Sequence, residues 1–145
     1  MLAINIPIIN KSERVIPTYA TKGSVGFDIY PLDKQTIVKP NERVLVHTGL
    51  YMAIPIGYEL QIRPKSGTSL KTSLWIPNSP GTIDSDYRGE ICIIVSNDSE
   101  YPIIFDNTKA IAQGVINEVW KAIFQEVEEL PETDRGTGGF GSTNK

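Results

Sequence analysis

The sequence is poor in cysteine and histidine and has no long apolar run. Cys92 is its only cysteine, which excludes an intrachain disulfide and a multi-cysteine zinc site. A single cysteine also suits a reducing compartment, so we expect the cytoplasm, or the host cytoplasm for a viral protein. Pro7 interrupts the apolar N-terminal stretch too early for a signal or membrane helix, so no membrane partner is expected.

An excess of positive charge is also missing. The net charge is −3, and the fourteen Lys and Arg residues are scattered along the chain. We therefore expect no nucleic-acid partner, because binding to a nucleic-acid backbone usually needs a basic patch. A length of 145 residues, with 40% hydrophobic and 21% charged residues, is typical of one soluble globular domain.

Short segments with strand-like patterns, separated by turn residues, recur along the chain. The clearest is 58–63, where apolar and polar residues alternate as in a half-buried strand. β-Branched and aromatic residues predict further strands at 43–48, 91–95, 101–105 and 115–120. Five or more short strands predict an all-β sandwich or barrel.

Three other segments have different patterns. Residues 66–74 predict a short helix, which a hydroxyl or glycine opens and which has Leu70 and Leu74 on one face. The segment 119–130 suits both a helix and a strand, and we favour a strand that continues the preceding one. Four glycines within 136–141 predict a flexible tail, because so much glycine makes regular structure entropically costly.

Two clusters place charged and polar groups where they could meet an anion or a metal. Asp28 lies between apolar, strand-like residues, a pattern that a turn aspartate explains equally well. Lys65, Ser66 and Gly67 enter the predicted helix, whose free N–H groups and dipole favour anions. An ordinary helix cap with an exposed lysine is the alternative for this second cluster.

A third cluster, residues 78–90, combines a loop, acidic residues and an aromatic, and predicts a hairpin with the strand that follows. In an extended chain Thr82, Asp84 and Asp86 share one face, so one carboxylate is partly desolvated by its neighbour, as a general base requires. Tyr87 adds a flat surface for a sugar or a base. Solvated turn acids are the alternative.

The last two clusters lie near the C-terminus. Gln113, within 109–114, suits a strand end or a solvent-exposed position equally well. Residues 135–143 combine Arg135, Phe140 and two hydroxyls with glycines, a set that linkers seldom contain. Arginine can fork onto phosphate oxygens, an aromatic ring can stack on a base, and glycines let backbone N–H groups approach a polyphosphate. A disordered tail is the alternative.

In this order and spacing, the five clusters resemble the five signature motifs of the trimeric dUTP pyrophosphatase (dUTPase) family. The segments GTIDSDYRGE at 81–90 and RGTGGFGST at 135–143 match that family's pattern best. The resemblance implies a jelly-roll-like β barrel over 1–130 and a flexible glycine-rich lid over 131–145. It also implies Mg²⁺-dependent hydrolysis of dUTP to dUMP and pyrophosphate, which limits uracil in DNA and supplies dUMP for dTTP synthesis.

The resemblance further implies a homotrimer with shared active sites and a role for individual residues. The first, second and fourth motifs would come from one subunit, the third from another and the fifth from the remaining one. Asp84 would hold the deoxyribose 3′-hydroxyl and activate the water that attacks the α-phosphate in line, with Ser66 as the second catalytic residue. Tyr87 would pack under the deoxyribose and disfavour a ribose.

The same resemblance assigns the remaining binding residues. Asp28 would reach Mg²⁺ through water. The uracil slot would be formed by Asn78 and the backbone near Gly81, Thr82, Ile83 and Cys92. The phosphates would be held by Lys65, Ser66, Gly67 and Gln113. The lid residues that close over the nucleotide would be Arg135, Phe140, Gly141, Ser142 and Thr143.

Two positions depart from the family pattern. Lys65 stands where the family usually has arginine, and lysine offers a point charge in place of a planar fork. Ala110 also stands where arginine is usual, with Lys109 beside it as a substitute. These departures leave room for a nucleotide-gated binding module. The rival enzyme is a dCTP deaminase, or a bifunctional deaminase–pyrophosphatase, of the same fold. His47 has no motif around it, so we expect a surface or strand histidine and not a ligand.

Overall fold

In the computed structural model, which describes residues 3–141, those residues form eleven short strands and one short helix. The elements are β1 (Ile8–Asn10), β2 (Phe27–Ile29), β3 (Thr36–Val38), β4 (Arg43–Val46), β5 (Leu50–Met52), β6 (Tyr58–Pro64), α1 (Ser66–Lys71), β7 (Leu74–Trp75), β8 (Gly81–Ile83), β9 (Ile93–Asn97), β10 (Ile103–Phe105) and β11 (Ala112–Glu118). No helix within this range is long and apolar enough to span a bilayer.

The strands assemble into one four-stranded sheet and three smaller ones. The largest sheet has the order β2-β11-β6-β8, and the three-stranded sheet has the order β4-β9-β7. Two strand pairs, β1-β5 and β10-β3, complete the structure. All of these pairings are antiparallel. This architecture confirms the prediction of an all-β, jelly-roll-like fold.

One hydrophobic core joins the sheets. Along β6 the predicted alternation holds, because Leu60 and Ile62 are buried, whereas Gln61 and Arg63, which alternate with them, are only partly buried. Side chains from the facing sheets pack into the same cluster, among them Ile29, Val38, Val46, Met52, Leu74, Ile93 and Val95. Burial of these side chains is the main stabilising contribution, at about 1.5–3 kcal/mol for each large aliphatic residue.

The five predicted strands all form, with shifted ends. Segment 58–63 becomes β6, and the others contain or overlap β4, β9, β10 and β11. β4 stops at Val46 because the carbonyl of the next residue, His47, accepts a hydrogen bond from Leu32 N–H (2.8 Å). Tertiary hydrogen bonds of this kind set strand ends, and they leave no trace in the local pattern.

The predicted helix is shorter than expected, and its apolar face is wrong. α1 ends at Lys71, and Thr72 is already extended, although its N–H still donates to Thr68 O. Leu74 is buried in β7 opposite Asn97, whereas Leu70 on the helix is 84% exposed. The two leucines therefore share no face, because pairing with β9 draws the chain after Thr72 into a strand.

Residues 119–130, here called the C-terminal arm, do not continue β11 as predicted. The last strand ends at Glu118, where Val119 N–H donates to Gly57 O (2.8 Å), and the arm contains neither helix nor strand. Most of its apolar side chains are exposed, and Trp120 (91%), Ile123 (98%) and Phe124 (93%) are almost fully so. Within the described chain no strand pairs with the arm, so its β-prone residues cannot form a ladder.

Candidate active site

Residues of three separate sequence clusters meet at one end of the largest sheet. Asp28 on β2 pairs in register with Gln113 on β11, and Gln113 pairs in turn with Arg63 on β6. Lys65 directly follows β6, and its ammonium forms an ion pair with Asp28 Oδ1. The structure therefore places Asp28, Lys65 and Gln113 together, as a site for phosphates and a metal requires.

Close packing fixes the Gln113 side chain in this cluster. Its Nε2 donates to Pro64 O (3.0 Å), which links it to the chain just before Lys65. A Cβ at position 26 would lie 2.5 Å from Gln113 Oε1, so a larger residue there would displace this amide. Gly26 thus belongs to the site as a spacer, although sequence reasoning assigned it no role.

Ser66 and Gly67 begin α1 and are exposed beside the cluster. Lys65 occupies the N-cap position with an extended backbone, and its ammonium pairs with Asp28. The Arg63 guanidinium is engaged elsewhere, because its Nε and Nη2 donate to Gln61 Oε1 at 3.0 and 2.6 Å. Lys65 is therefore the cation that this cluster presents.

Residues 78–90, the third cluster of the sequence, do not form the predicted hairpin. β8 pairs with β6, whereas β9 pairs with β4 and β7, so the two strands belong to different sheets. β8 ends at Ile83, and Asp84 and Asp86 lie in an exposed turn that Tyr87 N–H closes onto Asp84 O (3.2 Å). Thr82, Asp84 and Asp86 therefore do not share a strand face, and neither carboxylate desolvates the other.

The turn after β8 is nevertheless specifically built. Tyr87 donates from its hydroxyl to Glu90 O (2.9 Å), and a Cβ at Gly89 would lie 2.3 Å from that hydroxyl. At the start of β8, a Cβ at Gly81 would come within 3.2 Å of Asn78 Nδ2. The two glycines therefore leave room for Asn78 and Tyr87 at opposite ends of the segment that carries Asp84.

Within one chain, the Asp84 turn and the Lys65 cluster lie far apart. Ile83, just before Asp84, pairs with Leu60 on β6. Pro64, just before Lys65, lies four residues further along the same strand. At about 3.3 Å per residue the two levels are separated by about 13 Å, and Asp84 continues in the opposite direction. A single subunit therefore does not bring the predicted base to the residues that are predicted to bind phosphate.

Up to Gly141, where the described residues end, the glycine-rich tail is not docked on this site. Arg135 Nε donates to Gly138 O (2.8 Å), and Gly136 N–H donates to Thr133 O (3.0 Å), so the tail begins as a local turn. Phe140 is fully exposed, and Gly141 has a φ of 93°, which favours glycine. The predicted lid residues Ser142 and Thr143 lie outside the described residues.

A second polar cluster, formed by His47, Glu90 and Cys92, was missed by sequence reasoning. His47 Nδ1 is hydrogen-bonded to Glu90 Oε2 (2.8 Å), and Cys92 Sγ lies 3.6 Å from the same nitrogen. The prediction that His47 is not a ligand rested on the lack of a local motif. Because its partners lie more than forty residues away in the chain, no local pattern could have indicated the cluster.

The contacts within this cluster shift three pKa values. The hydrogen bond and charge of Glu90 raise the pKa of His47 above its ordinary value. Burial opposes ionisation of Glu90, but hydrogen bonds from His47, Gly49 N–H and Thr48 N–H outweigh burial and lower the pKa of Glu90. Burial, with the nearby Glu90 carboxylate, raises the pKa of the Cys92 thiol.

The fold defines an all-β protein of the jelly-roll-like class. The cluster of Asp28, Lys65 and Gln113 adds a carboxylate, an ammonium and an amide that converge at one end of the largest sheet. A family model described as dUTPase matches residues 12–144. The chain belongs to the dUTPase family.

Sequence relatives agree with this assignment. A deoxyuridine 5′-triphosphate nucleotidohydrolase of Nautilia profundicola is 50% identical over 133 residues, covering 92% of this chain and 93% of the relative. An enzyme of the same name from Fusobacterium nucleatum is 44% identical over 146 residues, covering 100% of both chains.

Solved structures are similar to this chain as well. A mutant dUTPase of Staphylococcus bacteriophage 80alpha with dUpNHpp superposes with a TM-score of 0.88 at 26% identity, covering 97% of this chain and 99% of that one. A mutant dUTPase of phage phi11 of S. aureus, solved with a structural Mg(II) ion, has a TM-score of 0.78 at 24% identity, covering 87% and 98%. The second likeness supports the fold alone.

Proposed function

We propose that this protein hydrolyses dUTP to dUMP and pyrophosphate, and the relatives named deoxyuridine 5′-triphosphate nucleotidohydrolase support this proposal. The observation that carries the proposal is the meeting of Asp28, Lys65 and Gln113 at one sheet end, next to the exposed Ser66 and Gly67. Ammonium, hydroxyl and backbone N–H groups are the donors that polyphosphates accept.

The reaction needs a base that water can reach. Asp84 is exposed in a turn, so a water molecule can approach its carboxylate. In the proposed step the water oxygen attacks the α-phosphorus, its proton passes to Asp84, and the bond to the β-phosphate oxygen breaks to release pyrophosphate. Ser66 is the second catalytic residue, with its hydroxyl at the phosphates.

Asp28 suits a role toward Mg²⁺. Its carboxylate is a hard oxygen ligand of the kind this ion prefers, and its side chain is 38% exposed, which leaves space for a bridging water. Mg²⁺, when bound, neutralises phosphate charge and stabilises the charge that develops in the transition state. Lys65 is paired with Asp28, and a metal held by Asp28 would compete for that carboxylate, so we expect the ammonium to turn toward the phosphates when nucleotide binds.

The remaining residues select the substrate. Tyr87, held by Gly89 and Glu90 O, presents a ring on which a deoxyribose can rest. Asn78 and the backbone of Gly81, Thr82, Ile83 and Cys92 form the proposed uracil slot. The lid consists of Arg135, Phe140, Gly141, Ser142 and Thr143. A polar slot of this kind rejects cytosine because mismatched donors would be buried without partners.

The active form in this proposal is a homotrimer with shared sites, in a reducing cytoplasm (the host cytoplasm for a viral protein). Two observations support sharing: the separation of about 13 Å or more between Asp84 and Lys65 levels, and the exposed apolar arm. A run with Trp120, Ile123 and Phe124 in water is costly unless another subunit covers it. A closed ring of three chains supplies such a cover.

Steady-state hydrolysis of dUTP with Mg²⁺, compared with dCTP, dTTP and UTP, tests the activity. We expect pyrophosphate from dUTP alone. Asp84→Asn should keep nucleotide binding and lower turnover by about 10²-fold, the loss typical of a missing general base. Asp86→Asn, an exposed acid in the same turn, is the matched control and should remain near wild type. Ammonia release from dCTP would favour a deaminase, and tight binding without turnover would favour a binding module.

A mixing experiment tests site sharing. Asp84→Asn and Ser66→Ala are each expected to be nearly inactive alone. After unfolding and refolding of equal amounts together, about a quarter of all sites, or about a third of those in mixed trimers, should combine an intact Ser66 with an intact Asp84 from another chain. Recovery of activity supports sharing, whereas no recovery in verified mixed trimers would place each site within one subunit.

A further inference from the structure

The His47–Glu90–Cys92 cluster has no part in the proposed hydrolysis through its side chains. The proposed uracil slot uses the backbone near Cys92, which leaves the thiol available for another purpose. The imidazole nitrogen, the thiol sulfur and a carboxylate oxygen all lie within 4.8 Å of one another. Three different donor types therefore converge at a point that the nucleotide does not require.

The carboxylate of the cluster is held in place by the backbone. Glu90 Oε1 accepts hydrogen bonds from Thr48 N–H (3.1 Å) and Gly49 N–H (2.8 Å), which leaves Oε2 facing His47. Gly49 has a φ of 72°, and a Cβ there would lie 2.9 Å from Ser12 N, so this backbone is fixed by its surroundings. Hydrogen bonds of this kind orient the side chains that bind the ion in metal sites.

A second tie joins the two chain segments that supply the donors. Thr48 Oγ1, which is buried, donates to Ile91 O (2.6 Å) and accepts from Leu50 N–H (3.1 Å). His47 therefore comes from a segment locked to the one that carries Glu90 and Cys92. The donors are held by the fold and do not depend on a flexible loop.

Donor chemistry and spacing indicate which ion is suited. Imidazole, thiolate and carboxylate together are ligands of Zn²⁺, whereas Mg²⁺ and Ca²⁺ take oxygen ligands. Bonds of about 2.0–2.3 Å in a tetrahedron place ligand atoms about 3.3–3.8 Å apart. The 3.6 Å from Cys92 Sγ to His47 Nδ1 lies in this range. The 2.8 Å from Glu90 Oε2 to the same nitrogen is a hydrogen bond, which would open by about 0.5 Å on ligation.

We propose that His47, Glu90 and Cys92 form a Zn²⁺ site with three protein ligands and water in the fourth position. The His47 side chain is 50% exposed, which gives the ion access from solvent. Binding releases the Cys92 thiol proton to solvent and forms a zinc–thiolate bond, without any change of oxidation state. Without metal the thiol keeps its proton, because burial raises the pKa of Cys92, so a reactive nucleophile is not the role of this residue.

The test is a titration of the full-length, nucleotide-free protein with Zn²⁺ in buffer that contains excess Mg²⁺ and no chelator. We expect one Zn²⁺ per chain, and with Co²⁺ a thiolate-to-metal charge-transfer band. Cys92→Ser and His47→Gln should each weaken binding by at least about 10-fold. Glu90→Gln keeps an oxygen acceptor for Thr48 and Gly49 but removes the charge, and should weaken binding likewise.

Asp33→Asn is the matched control, since Asp33 acts on His47 only through its charge and is not part of the cluster. It should bind Zn²⁺ as wild type does. Thermal melting of each variant without metal establishes that it is folded. Failure of the wild type to bind Zn²⁺, or unchanged binding in folded Cys92→Ser and His47→Gln, would overturn the proposal. Because no nucleotide is present, either result leaves the proposed hydrolysis to its own assay.

Discussion

Residues 3–118, here called the body, and the C-terminal arm differ in the burial of their apolar side chains. The body places Leu60 and Ile29 at 0% exposure in a core shared by its sheets, whereas the arm leaves Ile123 almost fully in water. Both regions are rich in β-branched and aromatic residues, so composition does not separate them. The difference lies in whether strand partners are available within the described chain, and in the proposed trimer another subunit would cover the arm.

The same contrast divides the candidate site. Asp28, Lys65 and Gln113 are joined by strand register and side-chain contacts within one body. Arg135 and Phe140 in the tail have only local contacts or solvent around them. We therefore expect mutations of the buried core to change folding, and changes in the arm and tail to alter assembly and turnover.

The largest expected effect is on the core. Leu60→Ala should lower the free energy of unfolding by about 3 kcal/mol, because a cavity remains where β6 packs. Ile123→Ala should change subunit folding by less than about 0.5 kcal/mol, since its side chain has no cover within the subunit. Urea unfolding at several protein concentrations separates folding from assembly. Only the part of the unfolding free energy that does not depend on protein concentration reports subunit folding. If Leu60→Ala and Ile123→Ala lower that part equally, the contrast between the body and the arm is wrong.

Removal of the tail comes next. Deletion after Asp134 should lower turnover by about 10²-fold, comparable to the loss of a positioned donor, because the lid no longer excludes water. The melting temperature and the oligomeric state should be unchanged. Deletion of residues 144–145 alone, which spares the fifth motif, is the control. A truncated protein that aggregates or dissociates would show that the tail is structural.

A smaller effect is expected when the arm loses an aromatic side chain. Phe124→Ser should weaken assembly by about 2 kcal/mol, the value of burying such a side chain, and shift the trimer toward monomer on dilution. Tyr101→Ser removes an exposed aromatic from the body and serves as the control. Sedimentation at a series of concentrations measures both. If Phe124→Ser stays trimeric at every concentration at which wild type and Tyr101→Ser stay trimeric, the arm is not an interface.

The smallest expected effect concerns the His47–Glu90 pair on the surface of the body. The pKa of His47 is raised, so its contribution is present below its ordinary value of 6.5 and is lost as pH rises through the folded value. The pKa of Glu90 is lowered, so its contribution is present above 4.5 and is lost as pH falls further.

His47→Gln should therefore destabilise the protein most between pH 4.5 and 6.5 and progressively less above that range. Melting curves at about pH 5.5 and about pH 8, with a chelator to remove zinc, measure the difference. A difference in melting temperature between wild type and His47→Gln that grows with pH would contradict the assignment of this ion pair.

Some of the site could be predicted from sequence alone. The alternation in 58–63 correctly indicated β6, and the resemblance to dUTPase motifs correctly indicated the family. The face shared by Thr82, Asp84 and Asp86 was wrong, because β8 ends at Ile83 where its pairing with β6 stops. Local periodicity cannot report where a distant partner strand ends.

By itself, the sequence determined the all-β class, the family and the residue types that could meet a nucleotide, because alternation and motif order are properties of the chain. Only the tertiary structure decided which of them meet. Strand register brings Asp28 to Gln113 and keeps Asp84 away from Lys65, and contacts across more than forty residues assemble His47, Glu90 and Cys92. The physical reason is that hydrogen-bonded pairing between distant strands fixes such distances, and no local preference encodes them.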